Sequence, residues 1–341
     1  MAAITLDHLC FRYPGAAQDT LSDLRLTVAD GEAHALLGAS GAGKTTLLNL
    51  LSGLLQPTSG RVLFDEVDVS SQPGRARSVA QVFQFPVLYE ALSVEDNLAF
   101  PLRVRKASRV LIEQRVSIIC EELELNHLRQ TKSAMLSLFE KQLVALGKAL
   151  VRPEVALVLL DEPLTAVEPK IKWRLRQSLR RVQADLGVTM IYVTHDQTEA
   201  LTFADRVSVL TTQGLLQTGT PETIYNAPDH EYVGHFVGSP GMNFLPASVL
   251  HLAGAERVGF RSEWAELDPH SALRGTVAGQ RLQGTRDGVP YGWLTVNTIH
   301  GEVVVRGKLP ADVLVGQDVG IRVRRYVAFE EGKKVAEGEF V

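Results

Sequence analysis

The chain has 341 residues, 45% of them hydrophobic and 22% charged, and a formal net charge of −4. That length exceeds one ordinary core and calls for two domains, the composition excludes a disordered chain, and the charge argues against a general nucleic-acid binder. The N-terminus lacks a basic segment leading into a secretory apolar core and no run reaches membrane-span length, so a cytoplasmic chain is expected, with Cys10 and Cys120 as reduced, buried thiols far from any metal-type spacing.

The opening residues alternate in polarity and turn through Pro14-Gly15, as an antiparallel hairpin does. Ala33-His34-Ala35-Leu36-Leu37 then reads as a buried parallel strand, and Thr46 to Leu51 as an apolar-faced helix. Between them Gly38-Ala39-Ser40-Gly41-Ala42-Gly43-Lys44-Thr45 fits G-x-x-x-x-G-K-[ST]. In this strand–helix frame, small residues let successive backbone N–H groups turn inward on phosphate oxygens at a helix N-terminus. Lys44 is then placed to reach the β and γ phosphates and Thr45 to ligate Mg²⁺, with Thr46 beside them.

Helical patterning predominates from about 85 to 151 and marks a helical subdomain. The strand Ala156 to Leu160 runs into Asp161-Glu162-Pro163, which sets two acids at the carboxyl edge of a sheet, where the phosphates belong. Asp161 is placed to hold Mg²⁺ through water and Glu162 to polarise the attacking water. Leu186-Gly187 stops a helix, and Thr189 to Thr194 forms a further buried strand with His195 at its end, a candidate γ-phosphate contact. Gly238-Ser239-Pro240-Gly241 is a linker signal, after which short β patterns such as Glu302 to Arg306 and Val319 to Arg324 point to a small antiparallel barrel. No aromatic and basic platform for nucleic acid stands out in that barrel.

Together these motifs resemble the ATPase subunits of ABC transporters. The resemblance implies an α/β P-loop core with a helical subdomain over residues 1–237 and an OB-like regulatory domain over 238–341, in which Gly259-Phe260-Arg261-Ser262-Glu263 is similar to that domain's G-I-R-P-E element without its proline. It also implies that Tyr13 stacks on adenine and that Gln84 links metal and water to a membrane partner. Gln217 to Pro221 and Gly238 to Phe244 carry the character of the sugar and polyol importer branch.

Leu136-Ser137-Leu138-Phe139-Glu140 stands where the family carries L-S-G-G-Q, the element one subunit lends to the γ-phosphate on the other. Ser137 survives, Leu138 and Phe139 replace the glycines that permit close backbone approach, and Glu140 adds an anion. Leu143 replaces an arginine, and Thr165-Ala166-Val167-Glu168 replaces S-A-L-D. With Phe83 to Tyr89, Asp161 to Thr165 and Lys172-Trp173, the chain is similar to the atypical ATPase of bacterial glycerol importers.

The resemblance therefore implies ATP and Mg²⁺ as ligands, a second ATPase with an intact signature, two permeases, an indirect periplasmic solute-binding protein, no nucleic acid, and a peripheral place on the inner face of the cell membrane. A homodimeric sugar or glycerol-phosphate importer ATPase is the nearest alternative, followed by a soluble non-transport ABC ATPase. A P-loop kinase would leave Gln84, His195 and the signature remnant unexplained together.

Overall fold

A computed structural model describes residues 2–165, 169–310 and 313–340. It divides the chain into two compact units, Met1–Pro221 and Glu222–Val341.

The first unit opens with β1 (Ile4–Phe11) and β2 (Leu21–Val28), an antiparallel pair as the alternation requires. β3 (Ala33–Leu37) follows, every residue buried, and leads into α1 (Lys44–Ser52). β4 (Ser59–Phe64) and β5 (Val67–Asp68) complete a four-stranded antiparallel sheet of order β2-β1-β4-β5. β6 (Val79–Val82) precedes three helices, α2 (Val94–Val104), α3 (Arg109–Glu122) and α4 (Leu138–Leu150). The unit continues with β7 (Leu157–Asp161), α5 (Pro169–Leu186), β8 (Met190–Thr194), α6 (Gln197–Phe203), β9 (Arg206–Thr211) and β10 (Gly214–Gly219).

The second sheet has the order β10-β9-β3-β8-β7-β6, antiparallel only at β10. Parallel strands buried on both faces read as continuous apolar runs, which is why β3, β7 and β8 were legible. α1 packs Leu47, Leu48, Leu50 and Leu51 against the core, at about 1.5–3 kcal/mol for each buried side chain. Gly187, at φ 60, ends α5 after Leu186. Cys120 is buried, whereas Cys10 is only half-buried, its sulfur accepting from the Asp23 N–H at 3.2 Å.

The second unit begins with two short helices, α7 (Pro221–Asn226) and α8 (Glu231–Phe236). β11 (Asn243–Pro246) and β12 (Arg257–Phe260) lead to β13 (Ala265–Leu267), β14 (Arg274–Arg286), β15 (Val289–Thr298), β16 (Gly301–Lys308), β17 (Asp318–Val323), β18 (Arg325–Glu330) and β19 (Lys333–Glu339). They form antiparallel sheets of order β11-β12-β18-β19 and β13-β17-β14-β15-β16, consistent with an OB-like domain. The division at 221/222 falls ahead of the 237/238 boundary expected, because the fully buried Arg261 after β12 donates to the carbonyls of Tyr225, Gly234 and Val237 and so ties α7 and α8 to the strands.

Candidate functional site

Strand register gathers the sequence-singled residues at one sheet edge. Leu37 pairs with Thr194 and Asp161 with Val193, so Gly38, His195 and Glu162 leave three adjacent strands at nearly the same level. Val82 pairs with Leu160, which places Gln84 two residues beyond β6 on the same edge.

The loop before α1 is held open by backbone geometry. Gly41 and Gly43 lie at φ 83 and φ 92, a region that only glycine enters without strain. Gly43 caps α1 without a side-chain hydrogen bond, so the first N–H groups of α1 receive no side-chain acceptor from their cap. Gly38 is required sterically, since a Cβ there would meet the Leu210 oxygen at 2.3 Å. Lys44 folds back on the loop and donates from Nζ to the Gly38 and Ala39 carbonyls at 2.8 and 2.9 Å. Burial lowers its pKa, against the opposing pull of Glu162 and Asp161. Ser40 is exposed and Ala42 buried, so the loop alternates between cradle and core.

The Thr45 hydroxyl lies beside Asp161 and favours its ionised form. Burial, and then the neighbouring Glu162 charge, raise its pKa despite Lys44 and Thr45. Glu162 sits at φ 46, a conformation that costs a non-glycine residue and marks a position held by its surroundings. Its N–H donates to the Val193 carbonyl at 3.0 Å, Thr165 Oγ1 donates to its Oε2 at 3.1 Å, and His195 Nδ1 lies 3.1 Å from the same oxygen. Tyr13 meets the first turn of α1, its hydroxyl 3.1 Å from Thr46 Oγ1 and its ring edge-on to Phe11 at 4.8 Å. Thr46 is buried, so its hydroxyl serves Tyr13 while Tyr13 keeps a partly exposed ring.

The Leu138–Glu140 segment forms the first turn of α4. Ser137 caps it in a reciprocal box: Ser137 N and Oγ both donate to Glu140 Oε2 at 2.7 Å, and Glu140 N donates back to Ser137 Oγ at 3.3 Å. Leu138 is exposed, whereas Phe139 packs on the core of the helical segment and Leu143 is buried. Ala166, Val167 and Glu168 of the loop expected to replace S-A-L-D lie outside the described residues.

The ABC transporter family model matches residues 21–165. The trehalose import ATP-binding protein SugC of Mycobacterium tuberculosis is 42% identical over 278 residues, 82% of this chain and 69% of SugC. The chain belongs to the family of ABC transporter ATP-binding proteins. The sn-glycerol-3-phosphate import ATP-binding protein UgpC of Psychromonas ingrahamii is 40% identical over 251 residues, covering 74% of this chain and 67% of UgpC. The solved structure of cbiO1 from Clostridium perfringens, part of the ABC transporter complex cbiONQ, superposes with a TM-score of 0.61 at 29% identity, covering 65% of this chain and 89% of cbiO1.

This ABC ATPase carries a supporting network that motif reading missed. Glu199 on α6 is buried, and its carboxylate accepts from Tyr192, Thr194 and Lys172, each at 2.9 Å. Asp196 caps α6, accepting from Thr198 and Glu199, while its own N–H donates to Thr194 Oγ1. His195 is thus fixed between a strand end and a capped helix. The signal in the sequence was Asp196 three residues before Glu199, an N-cap spacing easily passed over beside the histidine. Lys172 belongs to this network, while its neighbour Trp173 is exposed. Among the described residues no helix is long and apolar enough to cross a membrane.

Proposed function

We propose that this ATPase powers a bacterial importer of a sugar or polyol, glycerol among them, working beside a second, different ATPase. The observation that carries the asymmetric part is the Ser137–Glu140 capping box. A helix N-terminus lent to a partner's γ-phosphate must present free N–H groups and a free serine hydroxyl. Here Glu140 already occupies both the Ser137 N–H and its hydroxyl, so an incoming phosphate meets a carboxylate and the Leu138 side chain. Repulsion between like charges and the missing glycines both act against closure on that side.

On the chain's own side the chemistry is complete. Gly38, Ala39, Ser40, Gly41, Ala42 and Gly43 cradle the phosphates, Lys44 swings from the Gly38 and Ala39 carbonyls to neutralise them, and Tyr13 stacks on adenine. The Thr45–Asp161 pair, with an aspartate whose charge is under-compensated, fits Mg²⁺, with Gln84 reaching it through water. No cluster of three acid, histidine or cysteine ligands exists among the described residues, as suits an ion completed by water and phosphate oxygens. Bound there, Mg²⁺ would offset the charge of the phosphates. Glu162 orients and polarises the attacking water, held by Thr165 and His195, and His195 also faces the γ-phosphate. The partner's intact signature closes this site.

The importer reading draws on SugC and UgpC, which are named for trehalose and sn-glycerol-3-phosphate import. A groove of about 430 Å³ between β6, α2 and α4 supports a permease contact: it is lined by Phe83, Val87, Tyr89, Phe100, Val104 and Lys148, and Phe85, in the same loop, is 66% exposed. Leu88, in the same segment, is partly buried and packs on the core. Phe85→Glu should release the permeases from an affinity-purified complex while the chain still binds ATP. Retention of both permeases by that variant, or recovery of a complex holding two copies of this chain and no second ATPase, contradicts the reading.

A further inference from the structure

The C-terminal unit builds a cationic, aromatic concavity that the linear sequence conceals. The β14–β15 ladder sets Arg281 opposite Trp293, and the β15–β16 ladder sets Trp293 opposite Arg306. Directly opposed residues share a face, so one indole stands between two guanidinium groups, 5.9 Å and 5.2 Å from its ring. Tyr291 extends the row, with Arg286 and Arg306 at 6.0 and 5.8 Å. These residues lie on three strands, and only register brings them together, so the linear sequence does not show them as one group.

The donors on this face are under-used. Trp293 Nε1 and Arg306 Nε are buried without a hydrogen-bond partner among the described residues. Such groups cost about 1–3 kcal/mol each when left unmade, and a native structure that keeps two of them on neighbouring strands calls for an explanation. Arg306 Nη2 reaches only the neutral Gln283 oxygen, at 3.2 Å, and neither Arg281 nor Arg306 has a carboxylate partner among the described residues.

Beside Trp293 a cavity of about 630 Å³ opens, lined by Ser239, Pro240, Gly279, Arg281, Thr295 and Val304. Gly279 faces Thr295 across the ladder, and a Cβ there would meet nothing within 4 Å, so the floor next to the indole is open. That volume suits a single small molecule. Its lining pairs apolar surface, from Pro240 and Val304, with the Arg281 guanidinium and the Trp293 indole, whose Nε1 lacks an acceptor among the described residues.

We propose that this cavity binds a small phosphorylated metabolite, a phosphomonoester carried on a sugar or nucleoside ring. The phosphate takes the Arg281 donors, with Arg306 against the same indole adding positive charge from outside the lining, and the ring lies against Trp293, Pro240 and Val304. Guanidinium groups suit tetrahedral oxyanions through paired N–H donors, whereas the apolar lining adds nothing for a bare anion.

The test is titration calorimetry of the full chain carrying Lys44→Ala, which removes the nucleotide loop's phosphate lysine, with glucose 6-phosphate, AMP and inorganic phosphate as separate probes. Saturable binding of either organic phosphate, more tightly than inorganic phosphate, is expected, and which of the two binds identifies the ring. Arg281→Gln, at an exposed position that leaves the fold intact, should weaken that binding about tenfold or more, and Trp293→Phe should weaken it while keeping the ring contact. The proposal is overturned by absent binding of both organic probes, by equal binding of inorganic phosphate, by an unchanged affinity in Arg281→Gln, or by tighter binding of a single-stranded oligonucleotide than of either small probe.

Discussion

Glu140 Oε2 accepts hydrogen bonds from both the N–H and the hydroxyl of Ser137, each at 2.7 Å. The N-terminus of α1, by contrast, is capped by Gly43 with no side-chain acceptor at all. One helix start is open to an external anion, and the other has supplied its own.

Repairing the closed one should therefore wake the opposite site. With Glu162→Gln silencing this chain's own site, the further change Leu138→Gly, Phe139→Gly, Glu140→Gln should raise the ATPase rate of the assembled transporter about tenfold or more, a modest share of what phosphate-binding donors contribute elsewhere. Glutamine at 140 can keep the reciprocal cap with Ser137, but the two glycines cost the helix about 1 kcal/mol each and loss of the partly buried Phe139 adds to it, so folding is checked by thermal melting. A well-folded variant with no gain in turnover contradicts the role given to Glu140.

Asp161 supplies a pH signature. Its pKa is raised above the ordinary 3.8, first by burial and then by Glu162, so the folded chain binds this proton more tightly than the unfolded chain does. The ionised form thus costs stability above the folded pKa, and that cost fades as pH falls toward 3.8. Asp161→Asn should raise the melting temperature of the nucleotide-free chain at pH 7, with the difference shrinking on acidification through that window. Magnesium-dependent ATP binding should weaken in the same window in the parent chain. An Asn variant less stable at pH 7 would contradict the sign.

Much of this was legible because the decisive chemistry is local. A strand, a glycine loop and Lys44 follow one another within a few residues, and so do β7, Asp161 and Glu162; buried parallel strands announce themselves as apolar runs. Capping at Ser137 was equally local, yet Glu140 read as a lost glutamine and not as a helix cap, since the two meanings share one spacing. What stayed hidden depends on register or on long-range burial. Arg281, Trp293 and Arg306 meet only across ladders, and Glu199 gathers Lys172 from 27 residues away. The boundary moved for the same reason, because Arg261 reaches back across 36 residues to Tyr225.

Arg261 should be the costliest single residue of the C-terminal unit. It is fully buried, lies 4.1 Å from the Tyr225 ring, and donates to three backbone carbonyls; burial pushes its pKa down to about 10, which leaves it charged at neutral pH. Tyr225, pushed up to about 12 by burial and Glu263, stays a donor to that carboxylate at 2.7 Å. Arg261→Ala strands these carbonyls and should destabilise the unit by about 3 kcal/mol or more. Hydrogen exchange should rise in α7, α8 and β12 while β3 and β7 stay protected. A loss below about 1 kcal/mol would contradict this role.

The central claim is that only the site built on Lys44, Glu162 and His195 turns over ATP efficiently. It is tested most directly by the transport-coupled ATPase rate of two single variants of the assembled importer, Glu162→Gln in this chain and the equivalent change in its partner ATPase. Removing a polarising base costs about 10²–10⁴-fold. The account predicts a loss of that size from Glu162→Gln here and a far smaller loss from the partner's variant. Equal losses, or a greater loss from the partner's variant, would contradict it.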